Sequence, residues 1–181
     1  MQLDSIIPLL ERYKPVFEEE SLYRKLMSAW AISNPDTFWQ RSLLEGHFTG
    51  SAWVLNPDRS KALLIHHRGL NKWFQPGGHA EETDISLLET ARREAQEECG
   101  LSALEVLENA IFDLDIHIIP AKKDIPEHLH YDVRFLFQAD SEILQGDEEE
   151  LSDLAWVSLK ELSKRDLQQS VRRMVLKCNI L

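Results

Sequence analysis

Arg93, Glu94, Glu97 and Glu98 stand within six consecutive residues, inside the stretch GGHAEETDISLLETARREAQEECGL that runs from Gly77 to Leu101. Like charges at helical spacing repel. Arg92 and Arg93 precede the cluster, and no further base follows until Lys122. At about 100° per residue, Glu94, Glu97 and Glu98 share an arc of roughly 100° on a helix. Three hard oxygen donors facing one place suit Mg²⁺ or Mn²⁺, which take oxygen ligands and keep several waters. Arg93 projects elsewhere on the wheel and is placed to pair with one glutamate and hold its rotamer. The plain alternative is an acidic face turned to water.

The elements that must position these groups are legible around them. A helix is expected over 85–99, ended by Gly100 just past its last turn. Leu88, Ala91, Ala95 and Leu101 line the neighbouring arc, the one that packs on a sheet. Before the helix, GLNKWFQPGG reads as a loop, and Pro76, Gly77 and Gly78 bend bare backbone toward the carboxylate edge. Two strands precede that loop, 47–56 and 61–68, joined by the turn PDRS at 57–60. Further strands are expected over 103–119, 131–140 and 154–159. The intervening segments AKKDIPEHLH and 145–153 read as an exposed loop and an acidic loop. Helices are expected at the C-terminal end, the last over 167–178. Residues 1–45 read as helical, with SNPD at 33–36 as a helix start. Strands and helices intermix, so the fold class is an α/β or α+β sandwich. Residues 1–45 form a helical cap and 46–181 the main domain.

The balance of 31 acidic and 20 basic residues, net −11, disfavours a role on duplex nucleic acid. With 43% hydrophobic residues the chain is globular and long enough for a sizeable core. Cys99 and Cys178 have no metal-ligand spacing and read as reduced packing thiols. The N-terminus lacks the basic start and apolar run of a signal peptide. No apolar stretch reaches the roughly 20 residues of a membrane span. The location expected is the cytoplasm, without a membrane partner.

These residues resemble the Nudix hydrolase family. Its motif has a glycine and an early glutamate, then R-E-U-x-E-E-x-G-U, with U a bulky aliphatic residue. Here Gly78 is followed by Arg93-Glu94-Ala95-x-Glu97-Glu98-x-Gly100-Leu101, with Ala95 where a bulkier residue is usual. Between Gly78 and Arg93 the chain carries one residue more than the pattern. The early glutamate's place falls on Asp84, or on Glu82 if the gap falls later. The resemblance covers roughly residues 47–163 and implies a Nudix α/β/α sandwich. It also implies hydrolysis of the phosphoanhydride bond of a nucleoside diphosphate linked to another moiety, such as a nucleotide or nucleotide-sugar, with Mg²⁺ or Mn²⁺ as cofactor. By position, Glu94, Glu97 and Glu98 carry over as metal ligands, and the Gly77 carbonyl as a further one. In the family the general base is a box glutamate or an acid on a loop before the last strand. That loop here is 146–150, with Glu149 or Glu150 favoured and Glu98 next.

Other side chains are candidates around that site. His79 follows the double glycine, His117 ends DLDIH and His130 ends HLH. If they converge at the metal end of the sheet, they add metal or phosphate ligands and an acid limb below about pH 6; otherwise each is a surface or hydrogen-bonded histidine. Arg68 and Lys72 are the cations for a terminal phosphate, or surface charges. Trp73 stacks on a base or belongs to the sheet edge. The N-terminal helices are candidates for a substrate wall or a homodimer contact. An isoprenoid-diphosphate isomerase shares the fold and uses histidine and glutamate at a metal, but its cysteine after the bend has no counterpart between residues 77 and 98. A non-catalytic binding module usually lacks a box glutamate, and all three are present.

Overall fold

The computed structural model describes residues 4–67, 72–108, 110–145, 151–165 and 167–180. Its frame is a pair of parallel strands, β1 (Gly46–Leu55) and β7 (His128–Ala139), in register from Gly46 opposite Leu129 to Leu55 opposite Gln138. Every residue of β1 is buried, because both faces of the sheet are covered. Along one face Phe48, Ala52 and Val54 meet Tyr131, Val133, Phe135 and Phe137. Along the other, Trp53 and Leu55 join Leu136 beneath the C-terminal helix. The period of two along each strand sorts these sets.

On the outer edge of β7 run β6 (Asp113–Ile119) and β5 (Leu104–Val106), both antiparallel to it. The strand expected over 103–119 is therefore two strands on one edge. Leu107 N–H bonds the Leu136 carbonyl at 3.0 Å and Phe112 N–H the Arg134 carbonyl at 2.8 Å, so the chain stays tied to β7 on both sides of the break. β2 (Lys61–His67) meets β1 at Leu55 opposite Ala62 and then diverges. β8 (Leu151–Ser158) occupies one edge of β2 along its length, so β1 and β3 (Lys72–Phe74) share the other. β4 (Gly77–His79) takes the vacated edge of β1, with Thr49 opposite His79. The expected loop before the glycines thus contains two short strands. Their pairing is set by a gap between distant strands, which local sequence does not show.

The helix α3 (Leu87–Cys99) packs on the Phe48 face. A Cβ at Gly50 would lie 2.5 Å from the Leu87 carbonyl, so the missing side chain permits close docking. Ser86 caps α3 by accepting the Glu89 N–H at 3.3 Å, and Gly100 ends it in the left-handed conformation (φ 64°). On the opposite face lie α4 (Leu159–Leu162) and α5 (Gln169–Cys178).

The N-terminal helices α1 (Ile7–Arg12) and α2 (Glu18–Ser33) contribute Leu10, Met27 and Ala31 to the same apolar cluster as α3, joined by Ile6 just ahead of α1. Trp30 stacks on Tyr131 with ring centroids 5.4 Å apart. The expected helix start at SNPD is corrected. Residues 34–39 are a turn that ends α2, where the Asn34 side chain donates to the Trp30 carbonyl at 3.0 Å and closes the last turn.

A buried ionic network joins these layers. Asp113 accepts from Arg134 at 3.0 Å, from Arg173 at 2.8 Å and from Lys177 at 2.7 Å. Lys177 also donates to the Phe112 carbonyl, to the Tyr13 hydroxyl and to Glu20. Arg134 continues to Asp132 at 2.7 Å, whose other oxygen accepts from Thr49 and Ser51. Burial pushes the Asp113 carboxyl up, and the Arg173 hydrogen bonds with three nearby cations bring it below its ordinary value. An unpaired charge here would be costly, since removing one partner of a buried pair strands the other.

Lys177→Met should therefore lower unfolding free energy by about 3–5 kcal/mol. Urea denaturation with an exposed control, Lys164→Met, checks this; equal midpoints for both variants would show that the network carries no such weight.

Candidate active site

The carboxylate edge of α3 faces β4. Glu94 is partly buried against Gly78, where a Cβ would stand 2.5 Å from Glu94 Oε1. Glu98 accepts the Gly77 N–H at 3.0 Å. Glu97 is the most exposed of the three and reaches Arg93 at 3.0 Å. Burial raises the proton affinity of Glu94, against the opposing charge and hydrogen bond of Arg93. The trio is thus spread along one helix edge, with two members seated on the glycine bend.

Arg93 binds more than the single glutamate expected of it. Its guanidinium donates to Asp84 from Nε at 3.1 Å and Nη2 at 3.0 Å, to the His79 carbonyl at 2.8 Å, to Glu94 at 3.1 Å and to Glu97 at 3.0 Å. A planar fork with five donors can serve all of these at once. Asp84 is nearly buried and also accepts from Thr90 and from the Glu81 N–H. Of the two positions open in sequence for the early acid, the ion pair with Arg93 is made by Asp84.

The histidines gather on the other side of the sheet. Gly78 turns toward α3, so its neighbour His79 turns away from it. His130 is opposite His47 in the parallel register, and His79 is opposite Thr49 on the next strand. One ring nitrogen each from His47, His79 and His130 lies within 4.8 Å of the others, the one such triad among the described residues. His79 and His130 do converge, but the third member is His47 and not His117. His117 lies on β6 with its ring 5.5 Å from His130, and its Nδ1 is turned to Asp115 at 3.2 Å. His47 was missed because it opens a strand with nothing around it to mark it. Only the pairing of β1 with β7 supplies its partners.

Burial drives the pKa of His79 down to about 3, with Arg41 and neighbouring histidines adding to it. Burial and the adjacent rings take His130 to about 2. Burial thus favours the neutral form of both rings, the form that can donate a lone pair.

Lys72 is exposed on β3, opposite His67 of β2. Trp73 is half-buried, packs on the apolar cluster under α5 and lies beside His66 with ring centroids 5.1 Å apart. Arg68, Glu149 and Glu150 lie outside the described residues. Cys99 is fully buried, and burial pushes its thiol well above the ordinary range, as packing requires.

The Asp84 environment has a pH signature. Burial alone would raise its carboxyl, yet hydrogen bonds from Arg93, the Glu81 backbone and Thr90, with the Arg93 charge, hold it below its ordinary value. A depressed folded-state value contributes stability that is fully present above the unfolded value of about 3.9 and is lost as pH falls through the folded one. Asp84→Asn should be less stable than the parent by about 1–3 kcal/mol at pH 7. The gap should shrink below about pH 4. Denaturation at pH 7 and pH 3 checks this; a gap that stays constant would exclude the charged pair as its source.

Residues 47–178 match the family model of the NUDIX domain. Among curated proteins, the chain is 36% identical over 111 residues to the Xenopus laevis m7GpppN-mRNA hydrolase NUDT17. That match covers 58% of this chain and 36% of the relative, so the chain spans well under half the length of that protein. A C. elegans Ap4A hydrolase solved as a binary complex superposes with a TM-score of 0.57 at 16% identity, covering 74% of this chain and 95% of that one. A hydrolase of the NUDIX family from Clostridium perfringens gives a TM-score of 0.54 at 25% identity, covering 75% and 97%. Among the described residues no helix is long and apolar enough to cross a membrane. With the family's domain laid over the mixed sheet, the glycine bend and the carboxylate edge of α3, the chain belongs to the Nudix hydrolase family.

Proposed function

We propose that the chain is a metal-dependent pyrophosphohydrolase that cleaves the phosphoanhydride bond of a nucleoside diphosphate linked to another moiety. The observation that carries this reading is the seating of Glu94 and Glu98 on the backbone of Gly77 and Gly78, with Glu97 alongside. A nucleotide-containing substrate is supported by the relatives, one named for m7GpppN-mRNA and one for Ap4A.

The donor set fits a hard divalent cation, Mg²⁺ or Mn²⁺. The acids are carboxylates, and the bare backbone of Gly78 lets the Glu94 carboxylate lie where a Cβ would otherwise stand. When bound, such an ion neutralises diphosphate charge and acidifies the attacking water. Glu94, Glu97 and Glu98 would hold it, with the Gly77 carbonyl as a further donor.

The protein's own groups supply position. Arg93, itself anchored by Asp84, fixes the carboxylates of Glu94 and Glu97 and reduces their mutual repulsion. The Gly77 N–H fixes Glu98. In the reaction the water oxygen bonds to one phosphorus, the bridging oxygen leaves with the other phosphate, and a carboxylate takes the water's proton. Glu98 serves as that acceptor among the described residues, and Glu149 is the acceptor favoured outside them. Lys72, exposed on β3, would meet a terminal phosphate.

Hydrolysis of a nucleotide panel should require Mg²⁺ or Mn²⁺ and stop with chelator. Glu97→Gln and Glu98→Gln should lower turnover by orders of magnitude while thermal stability stays close to the parent's. An exposed ion pair such as that of Glu97 is worth only about 0–1 kcal/mol. Turnover within about twofold of the parent for both variants, against the expected loss of well over tenfold, would remove this mechanism.

Gly78→Ala tests the seat itself. The nearest obstacle is the flexible end of Glu94, so the variant should fold. A carboxylate displaced by about 1 Å should cost on the order of a hundredfold in kcat/KM. Wild-type kinetics in this variant would show that the close approach at Gly78 is not needed.

A further inference from the structure

We infer that His47, His79 and His130 form a second metal site, for a divalent cation of borderline softness such as Zn²⁺, on the face of the sheet opposite the carboxylates. This inference does not rest on the hydrolase reading. It rests on how three imidazoles from β1, β4 and β7 are oriented.

His47 is 2% exposed, and its Nδ1 faces the Leu43 carbonyl at 3.3 Å. A carbonyl only accepts, so Nδ1 carries the proton and Nε2 carries the lone pair. That Nε2 is buried and has no hydrogen-bond partner. A backbone carbonyl on one ring nitrogen with the other left bare is the arrangement by which proteins orient a metal-binding histidine. The His47 ring is 5.0 Å, centroid to centroid, from the rings of both His79 and His130.

His79 Nε2 and His130 Nε2 are 3.3 Å apart. At most one of them holds a proton toward the other, so at least one of the two facing nitrogens presents a lone pair. Three nitrogens within 4.8 Å can reach a common ion with small ring rotations. Nitrogen donors of this kind favour Zn²⁺ and its neighbours over Mg²⁺.

The triad lines a cavity of 670 Å³ with Arg41, Lys122 and Lys123 in its wall. With Asp124 also in the wall, cations outnumber acids there, so an ion held by the three histidines would have room beside it for water or an anionic oxygen. His128 also lines the cavity, its ring stacked on His47 at 5.1 Å and its Nδ1 on the Pro126 carbonyl at 2.9 Å. It stands as the nearest further imidazole.

The test uses the full chain stripped of metal and titrated with Co²⁺, a spectroscopic stand-in for Zn²⁺. Visible d–d absorption of a nitrogen-ligated site should rise and saturate at one equivalent, and Zn²⁺ should bleach it. The signal should vanish in His47→Ala and His130→Ala and persist in Glu97→Gln and Glu98→Gln. Should the histidine variants fail to fold, the parent alone decides. With ¹⁵N-labelled histidine, one equivalent of Zn²⁺ should shift ring nitrogens of His47, His79 and His130 together. Absence of saturable absorption, its loss in the glutamate variants instead, or unmoved ring nitrogens would each overturn the site. Hydrolysis with Mg²⁺ is a separate readout, so failure of this site and failure of the hydrolase reading are told apart.

Discussion

Asp113 holds the molecule together from the inside. It is fully buried on β6 and accepts from cations on β7 and α5, so three elements meet at one carboxylate. Within this network the buried acids Glu20, Asp113, Asp115 and Asp132 stand against the buried cations Arg134, Arg173 and Lys177. Such a group folds only if every member arrives, because each missing partner leaves a charge in a low-dielectric interior. Through Lys177, Glu20 and Tyr13 the network also ties the N-terminal helices to the C-terminal one. The segment ahead of residue 46 thus shares both an apolar cluster and a charge cluster with the family domain.

The same network shapes the two ends of the inner sheet face. Along β1 the inward residues pass from Trp53 through Ser51 and Thr49 to His47; along β7 they pass from Leu136 through Arg134 and Asp132 to His130. Apolar contact under α5 gives way to ions and then to imidazoles. The histidines therefore lie at the far end of a polar stripe, next to a cavity, and not in the apolar core. Across the sheet the surface is apolar where α3 docks, and only the edge of α3 is charged. One short strand, β4, links the two chemistries. Its Gly78 makes room for Glu94 on one face, and its His79 turns to the other.

Arg93 shows how the acidic edge avoids tearing itself apart. Its charge is shared among Asp84, Glu94 and Glu97, and the Asp84 end is nearly buried. A single guanidinium fixed at its base can orient two carboxylates without filling the space beside them. A lysine, with a flexible stem and one charged atom, would not reproduce this geometry.

Much was legible in the residues themselves. The spacing of Arg93, Glu94, Glu97 and Glu98 defines a common helix edge, since that depends only on a local period of 3.6 residues. Gly100 ends the helix by chemistry that is equally local, while the Ser86 cap sets its start two residues later than expected. β1, β2 and most of β7 are visible as β-rich runs for the same reason, although β7 begins at His128, inside the segment expected as an exposed loop. What tertiary structure alone decided is every pairing over long separation. The division of 103–119 follows from how β5 and β6 share one edge of β7. The short β3 and β4 exist because β2 leaves β1 and a gap must be filled. SNPD looked like a helix start because its residues suit either end of a helix, and the preceding turn of α2 settled which. Asp84 became the partner of Arg93 through a contact nine residues away that an extra residue had blurred. His47 joined His79 and His130, in place of His117, because a parallel register sets distant side chains on one face, and no local pattern carries that register.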